Sequence, residues 1–362
     1  MNDARIPAGR AIALSDKVAA LRSPMAWPDG TRSVEVVETH MSWVFLTDRH
    51  AWKLKKPVRA PQLDFRTLAA RHRFCCDEVR LNRRLAADVY LDVVPLVVDV
   101  HGCLHVDGPG EIVDWLVRMC RLPAERMLDR VLSRGVATAG DAYRIAARLS
   151  AFYHGLAPAR IDGAAYREAL RGTIDTNERT LCKPLAGQSA DTVRTLCARQ
   201  RSLLVCEAAR FDRRVRQGRV VEGHGDLRPE HVCIDDPVVI IDCLEFCRRL
   251  RIQDAADEVG FLALECERLG AAGFAATLVG AWHSASGDDV DDGCVHFYQS
   301  CRAMTRARLA VWHLREPACR ATPVWRDRAS AYIALARQHA DDCERAWVAS
   351  HVASHVSAAT GP

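Results

Sequence analysis

The stretch VVEGHGDLRPEHVCIDDPVVIIDCLEF, residues 220–246, is the segment that decides the fold of this chain. Two short β-branched runs, VCI and VVIID, lie on either side of a turn in it and predict a pair of strands. Asp226 stands in the loop before these runs, and Asp242 ends the second one. A buried strand that ends on a carboxylate is costly unless a metal ion or hydrogen bonds satisfy the charge. The segment therefore predicts a polar functional site.

The sequence that precedes this segment begins with the pattern of an antiparallel sheet interrupted by one helix. Residues 34–58, VEVVETHMSWVFLTDRHAWKLKKPV, alternate and cluster Val, Trp and Phe, which predicts consecutive antiparallel strands. Residues 65–85 change to helical spacing with one apolar stripe. Further apolar runs that begin at Val89 and Glu111 predict two more strands.

From Pro123 onward the spacing is helical, apart from the 220–246 segment, and it returns to helix over residues 254–346. We therefore expect four regions along the chain. They are an N-terminal extension over residues 1–30, an N-lobe with the sheet over 31–122, a helical C-lobe with both loops over 123–350, and a frayed tail over 351–362.

Composition excludes several classes of protein. The chain has 362 residues, 49% hydrophobic and 27% charged, which is an ordinary globular composition at a length that suits two domains. A net charge of +4 is small for such a surface, so the sequence predicts no nucleic-acid partner. No apolar run is long enough to span a membrane, and the charged N-terminus lacks the apolar core of a secretory signal. We therefore expect a cytoplasmic protein.

The 15 cysteines predict neither a disulfide framework nor a zinc site. Their number is odd, their spacing is scattered and no CxxC pair occurs, whereas structural zinc sites normally use two closely spaced ligand pairs. We interpret these cysteines as buried thiols that act as small hydrophobic side chains.

The motif HGDLRPEH, from His224 to His231, followed by the apolar strand that ends at Asp242, resembles the catalytic and metal loops of the aminoglycoside phosphotransferase branch of the protein-kinase-like fold. The stretches AWKLKKPV and EVRLNRRL are similar to a bacterial subgroup of that family, whose kinase-like unit is often fused to a P-loop domain. No GxxxxGK(S/T) motif occurs, so that domain is not expected here. The resemblance covers roughly residues 34–269. It implies an α+β, bilobal, protein-kinase-like fold with a small antiparallel-sheet N-lobe and a larger, mostly helical C-lobe.

The resemblance implies a role for each polar residue of this segment. Asp226 would be the catalytic base that orients the acceptor hydroxyl, and Arg228 would contact the γ-phosphate. Asp242 would bind the Mg²⁺ that bridges two phosphates. The alternatives are a turn residue for Asp226 and a cap for Asp242. His231 stands where the family carries an asparagine, and it could bind the metal, with Mn²⁺ then favoured, or only pack and hydrogen-bond, which we prefer.

Two lysines are candidates for the phosphate-binding lysine. Alternation places Lys53 and Lys55 on one face of the predicted strand, so spacing alone leaves both open. The match of Ala51-Trp52-Lys53 to the A-x-K pattern of the family favours Lys53 and implies that Glu78 is its ion-pair partner. Glu78 could instead be a solvated acid on the helix surface, and the lysines could simply protect an edge strand.

The function that the resemblance implies is ATP-dependent transfer of a phosphate to the hydroxyl of a small molecule, with Mg²⁺ or Mn²⁺. The adenine would lie near a hinge over residues 117–122, where Met119 is the cofactor-binding candidate. Five acids are candidates for the acceptor pocket: Glu222, Glu245, Asp254, Asp257 and Glu258. The alternative is a regulatory pseudokinase that binds a nucleotide, because His231 replaces asparagine and no glycine-rich loop precedes Lys53. A nucleic-acid module ranks last, since the basic residues near Lys53 lack interleaved aromatic residues.

Overall fold

The computed structural model describes residues 12–60, 62–183 and 187–359. The chain divides into two compact units, and each unit is built from two stretches of sequence. Unit 1 contains Met1–Arg130 and Glu230–Leu250, and unit 2 contains Val131–Pro229 and Arg251–Pro362. The predicted α+β class, with an antiparallel-sheet lobe and a helical lobe, is confirmed.

The secondary structure elements are numbered in chain order. The strands are β1 (Glu35–Glu38), β2 (Ser42–Leu46), β3 (His50–Lys55), β4 (Arg59–Ala60), β5 (Leu63–Asp64), β6 (Tyr90–Val98), β7 (Leu104–Val106), β8 (Glu111–Cys120), β9 (Val220–Glu222), β10 (Val232–Cys233), β11 (Val239–Ile240) and β12 (Ile252–Asp254). The helices are α1 (Leu14–Leu21), α2 (Leu68–Asn82), α3 (Leu128–Ser133), α4 (Ala139–His154), α5 (Gly163–Leu181), α6 (Ala190–Cys206), α7 (Ala208–Arg216), α8 (Ala255–Arg268), α9 (Ala272–Ser286), α10 (Asp292–His313), α11 (Pro317–Arg320) and α12 (Val324–Ala359).

Unit 1 is built on a six-stranded antiparallel sheet with the order β1-β2-β3-β8-β6-β7. Side chains alternate across β3, so Trp52 and Leu54 enter the apolar core on one face of the sheet. Lys53 and Lys55 lie on the other face, which α2 covers through a second apolar cluster around Val79. The alternation that made this strand recognisable in the sequence also separates its lysines from its largest apolar side chains.

The segment 12–30, which the sequence analysis treated as part of an extension, packs into unit 1. Leu21 and Trp27 are buried in the same apolar core as Trp52. Lys17 of α1 donates a 2.7 Å hydrogen bond to Asp114, a buried residue of β8. This segment therefore covers one face of the sheet, while residues 1–11 lie outside the described residues.

Three features differ from the sequence-based expectations. Strand β7 was not predicted, because three residues are too few to show a period. The tail expected to be frayed over residues 351–362 is helical as far as Ala359, and residues 360–362 lie outside the described residues. Alanine, which is frequent in α12, has the highest helix propensity of any residue. The strands β10 and β11, which were assigned to the helical lobe, belong to unit 1, where Val239 and Ile241 pack against the α2 cluster.

Unit 2 is helical apart from the two-stranded pair of β9 and β12. Helix α10 packs along α12 and also against α8 and α5. The core of unit 2 contains Phe211, Phe297 and Tyr298. Beside them the buried Arg214 binds the carboxylates of Asp254 and Asp288. Among the described residues, none of the helices combines the length and the apolarity that a bilayer crossing requires.

Candidate active site

Lys53 and Lys55 converge on one carboxylate, that of Glu78 on α2. Lys53 Nζ donates to Glu78 Oε1 at 2.8 Å, and Lys55 Nζ donates to Glu78 Oε2 at 2.5 Å. Glu78 is completely buried, so it is not the solvated helix-surface acid that the sequence left open. Its two oxygens each have an ammonium partner, which compensates the cost of removing the charge from water.

The two lysines differ in their second partner. Lys53 Nζ donates to Asp242 Oδ1 at 2.6 Å, whereas Lys55 Nζ donates to Glu245 Oε1 at 2.5 Å. The Lys53 side chain is 15% exposed and the Lys55 side chain is 1% exposed. Lys53 therefore lies at the accessible edge of the cluster, and Lys55 lies inside it.

This lysine–carboxylate cluster, consisting of Lys53, Lys55, Glu78, Asp242 and Glu245, holds three acids and two bases. Burial opposes the charge on Lys53, but the neighbouring carboxylates outweigh burial and raise its pKa well above the ordinary value. Burial likewise opposes the charge on Glu78, yet the two lysines lower its pKa. Both lysines therefore stay charged, and the cluster has three carboxyl groups for two ammonium groups.

Asp242 follows β11 and adopts a left-handed backbone conformation, with φ of 60°. Its N–H donates to Tyr90 Oη at 3.1 Å, and the next N–H, that of Cys243, donates to Asn82 Oδ1 at 2.8 Å. Side chains from β6 and α2 thus hold this turn in place. The Asp242 side chain is 41% exposed, compared with 8% for Glu245. Aspartate adopts the left-handed conformation more readily than most non-glycine residues, both in turns and at functional sites.

His231 lies beside Asp242. Its carbonyl accepts a hydrogen bond from Ile241 N–H at 2.9 Å, as part of the pairing around β10 and β11. The buried ring places Nε2 3.4 Å from Asp242 Oδ2. In this position the imidazole can interact with the carboxylate or share a cation with it.

Met119 lies on β8 directly opposite Ala51 of β3, on the sheet face that carries Lys53. It is buried in an apolar cluster with Val117, against which Ile241 also packs. An apolar surface suits the ring of a nucleobase, and a fixed lysine beside it suits the phosphates of the same nucleotide.

Asp226 and Arg228 lie in unit 2, in the loop that follows β9. Arg228 Nε donates to Asp226 Oδ2 at 3.0 Å, and the two side chains are 21% and 29% exposed. The N–H of Asp226 faces His224 Nδ1 at 3.3 Å. The candidate base and the candidate phosphate ligand are therefore paired with each other, and both can be reached by solvent.

A buried carboxylate of α8, that of Glu258, holds the backbone of this loop. Glu258 accepts hydrogen bonds from His224 N–H at 2.8 Å, from Tyr153 Oη at 2.9 Å and also from Gly225 N–H. A Cβ atom on Gly223 would lie 2.1 Å from Glu258 Oε2, so only glycine permits this approach. The glycines of GHGD therefore serve the contact between the loop and the buried acid.

The five acids that were expected to line an acceptor pocket have internal partners instead. Asp254 and Asp257 are buried, where Arg214 and Arg302 bind them at 2.6 and 2.7 Å. The other three are bound as follows: Glu222 by Arg251, Glu245 by Lys55, and Glu258 by the amides of the loop. These contacts do not favour an acidic acceptor pocket, because each acid already compensates a cation or a backbone donor.

Sequence reasoning missed two features of the site. Lys55 and Glu245 are 190 residues apart, so no local pattern could pair them. Glu258 left a clearer signal, since it lies in AADEVGFLALEC, a helical stretch that is buried on almost every side. An acid in such a helix needs an internal partner. This could have identified Glu258 as an anchor instead of an acceptor ligand.

Relatives were found by sequence, although no protein-family model matches the chain. An uncharacterized protein of Mycobacterium tuberculosis is 30% identical over 284 residues, which cover 76% of this chain and 54% of that protein. Its counterpart in Mycobacterium bovis matches to the same extent. The chain spans about half the length of the curated relatives it matches.

Solved structures share the architecture of the chain. Among them is the crystal structure of a choline/ethanolamine kinase family protein from Mesorhizobium loti, with a TM-score of 0.52 and 16% identity, and the match covers 89% of this chain and 94% of that chain. At this identity the similarity shows the fold alone.

Proposed function

Since the chain has the fold of the kinase-like phosphotransferases, as the sequence motifs predicted, we propose that it transfers the γ-phosphate of ATP to a hydroxyl group of a small molecule. The observation that carries this proposal is the position of Lys53 between two carboxylates, 2.8 Å from Glu78 and 2.6 Å from Asp242. The first acid is buried and fixes the lysine, and the second is half-exposed and can also serve a metal.

In this proposal the residues of unit 1 bind the nucleotide. Lys53 would contact the α- and β-phosphates, Glu78 would hold its ammonium group in place, and Met119 would contribute to the apolar surface for the base. Asp242 fits a magnesium ligand because it offers carboxylate oxygens at the accessible edge of a cluster with excess negative charge. Mg²⁺, when bound, would neutralise charge on the phosphates.

The residues of unit 2 act on the acceptor. Asp226 would accept a hydrogen bond from the acceptor hydroxyl and take up its proton, which makes the oxygen a better nucleophile. Arg228, now paired with Asp226, would supply positive charge to the transferred phosphate. Glu258 would keep the backbone of Asp226 in position without touching the substrate.

The alternative function is a nucleotide-binding pseudokinase. The buried imidazole of His231, 3.4 Å from Asp242, favours it, because Mg²⁺ prefers oxygen ligands to nitrogen ligands. The presence of both Asp226 and Asp242 favours the enzyme, since a protein that only binds a nucleotide has no need of a catalytic base.

One experiment on the whole protein tests the proposal and separates it from the alternative. ATP hydrolysis is measured with Mg²⁺ or Mn²⁺, with and without a mixture of metabolites that carry hydroxyl groups, and Asp226→Asn is the control. The proposal predicts slow hydrolysis that accelerates with the acceptor and is lost in the variant. Stabilisation by ATP without any turnover supports the pseudokinase, and the absence of both contradicts the two functions. A ligand at about 100 times its Kd stabilises by about 2.7 kcal/mol, which a thermal-shift assay detects.

A further inference from the structure

A cluster of metal-ligating side chains lies in unit 2, among residues that the proposed function does not use. His296 of α10 and His339 and Asp342 of α12 each offer one ligand atom, and these three atoms lie within 4.8 Å of one another. His339 is buried and the other two are partly buried, so the cluster is not a chance meeting of exposed side chains.

The two imidazoles approach each other at the distance that a shared metal requires. Their Nδ1 atoms are 3.1 Å apart, and the rings are stacked with centroids 5.3 Å apart. With Zn–N bonds of about 2.0 to 2.1 Å and tetrahedral angles, two nitrogens bound to one zinc ion lie about 3.3 Å apart. Little adjustment of the side chains would therefore be needed to admit an ion.

A carboxylate outside the cluster fixes the tautomer of His339. His339 Nε2 lies 3.0 Å from Glu267 Oε2, so this nitrogen carries the proton and donates it to the carboxylate. The lone pair is then on Nδ1, which faces His296. Histidine metal ligands almost always donate their second ring nitrogen in this way, because the bond orients the ring and makes it a better ligand.

A fourth acceptor atom points to the same place. Gln299 Nε2 donates to Glu267 Oε1 at 3.3 Å, which leaves its carbonyl oxygen, Oε1, at 3.1 Å from His296 Nδ1. Lone pairs of His339 and Gln299 thus converge on His296, near the carboxylate of Asp342. Either a proton on His296 Nδ1 or a cation must lie among these atoms.

The cluster borders a cavity of about 310 Å³, whose walls include His296, Gln299 and Glu267. His283 lines the same cavity, and its Nε2 atom is buried without a hydrogen-bond partner among the described residues. The cavity gives an ion a route to the cluster and leaves room for a water molecule as a further ligand.

We propose that His296, His339 and Asp342 bind a divalent transition-metal ion of the Zn²⁺ class, which connects α10 to α12. Imidazole and carboxylate ligands suit Zn²⁺ and related ions, whereas Mg²⁺ prefers an all-oxygen site. The histidines are 43 residues apart and no cysteine takes part, so the absence of CxxC pairs from the sequence does not exclude the site. Its role is to stabilise the helices of unit 2.

The test uses the full chain, freed of metal by a chelator, loaded with Zn²⁺ and desalted. Elemental analysis should find about one Zn²⁺ ion per chain, and Zn²⁺ but not Mg²⁺ should raise the Tm of the metal-free protein. His339→Gln and Asp342→Asn should lose both effects. His313→Gln changes a histidine of α10, the helix of His296, outside the cluster, and it should keep both effects. If the buried His339 variant does not fold, Asp342→Asn provides the same comparison at a partly exposed residue.

Three results would overturn the proposal. The first is wild-type protein that retains no zinc, and the second is the same zinc content in Asp342→Asn as in the wild type. The third is a Co²⁺-loaded protein with a thiolate-to-cobalt charge-transfer band, which would place the metal on cysteines. In support of the proposal, Glu267→Gln should weaken Zn²⁺ affinity by about 10- to 100-fold without abolishing binding, as the loss of a carboxylate behind a histidine ligand does.

Discussion

Unit 1 and unit 2 hold their candidate residues in opposite ways. In the lysine–carboxylate cluster of unit 1 the functional side chains are bound to one another, and Glu78 has no exposed surface at all. In unit 2 a separate acid, Glu258, holds the backbone of the loop, and the side chain of Asp226 remains 29% exposed. If the proposed function holds, function and stability depend on the same side chains in unit 1 and on different side chains in unit 2.

The largest effect should come from breaking the interior of the cluster. Lys55→Ala removes one ammonium partner from Glu78 and one from Glu245, and loss of one partner from a buried ion pair costs about 3 to 5 kcal/mol. Urea unfolding measures this loss. Lys56→Ala is the matched control, because Lys56 pairs with the half-exposed Glu38 and such pairs contribute about 0 to 1 kcal/mol. Equal losses in the two variants would show that the cluster is not held by its buried charges.

For nucleotide binding we expect Lys53 to matter more than Lys55, whereas for stability we expect Lys55 to have the large effect. Lys53→Ala should weaken ATP binding or turnover, per folded molecule, far more than Lys55→Ala, because only Lys53 lies at the accessible edge beside Asp242. Calorimetric titration with ATP measures the difference. Equal effects would contradict the choice of Lys53.

Asp226→Asn should lower turnover by about two or more orders of magnitude, which is the usual contribution of a general base. Its stability and its affinity for ATP should change little, because the buried carboxylate of Glu258 holds the backbone of the loop and asparagine keeps an acceptor oxygen for Arg228. Steady-state kinetics and urea unfolding of the same preparation measure both quantities. Wild-type turnover in this variant would contradict the assignment of the base.

Glu258→Gln tests whether the buried carboxylate of Glu258 holds the backbone of the same loop. Glutamine keeps one acceptor oxygen, but its NH₂ group replaces the oxygen that accepts from either His224 N–H or Gly225 N–H, because each of these donors uses a different oxygen. A hydrogen bond to a charged group contributes about 1.5 to 3 kcal/mol. We expect a loss of stability of that order together with lower activity. A variant as stable as the wild type would show that the buried carboxylate does not hold the loop.

The smallest effect concerns His231. If the imidazole only packs beside Asp242, His231→Asn should lose about 1 kcal/mol of stability and keep the ratio of Mn²⁺-supported to Mg²⁺-supported activity. If the imidazole is a metal ligand, asparagine supplies an oxygen and the preference moves toward Mg²⁺. We expect an unchanged ratio, and a shift toward Mg²⁺ would make His231 a ligand.

The sequence predicted the elements of the site better than the contacts between them. The period of two in β3, the helical spacing of α2 and the strand that ends before Asp242 are local patterns, and the structure contains all three. Each pattern depends on which side chains face the core, and the spacing of apolar residues along a short segment indicates this.

The partners of these residues could not be predicted in the same way. Tyr90 and Asp242 are 152 residues apart, and their hydrogen bond exists only because β6 and the turn after β11 are packed together. The pairing of His296 with His339 depends in the same way on α10 lying along α12. Contacts of this kind arise from tertiary packing, which a single sequence does not display.

The division of unit 1 into two stretches has a consequence during synthesis of the chain. The ribosome makes Met1–Arg130 first, but Asp242 and Glu245 belong to Glu230–Leu250, which follows 99 residues of unit 2 (131 to 229). At about 5 to 20 residues per second, that intervening stretch takes about 5 to 20 s to make. Until then Lys53, Lys55 and Glu78 lack two of their carboxylate partners, so the nascent sheet carries an uncompensated positive charge where the finished protein carries a negative one.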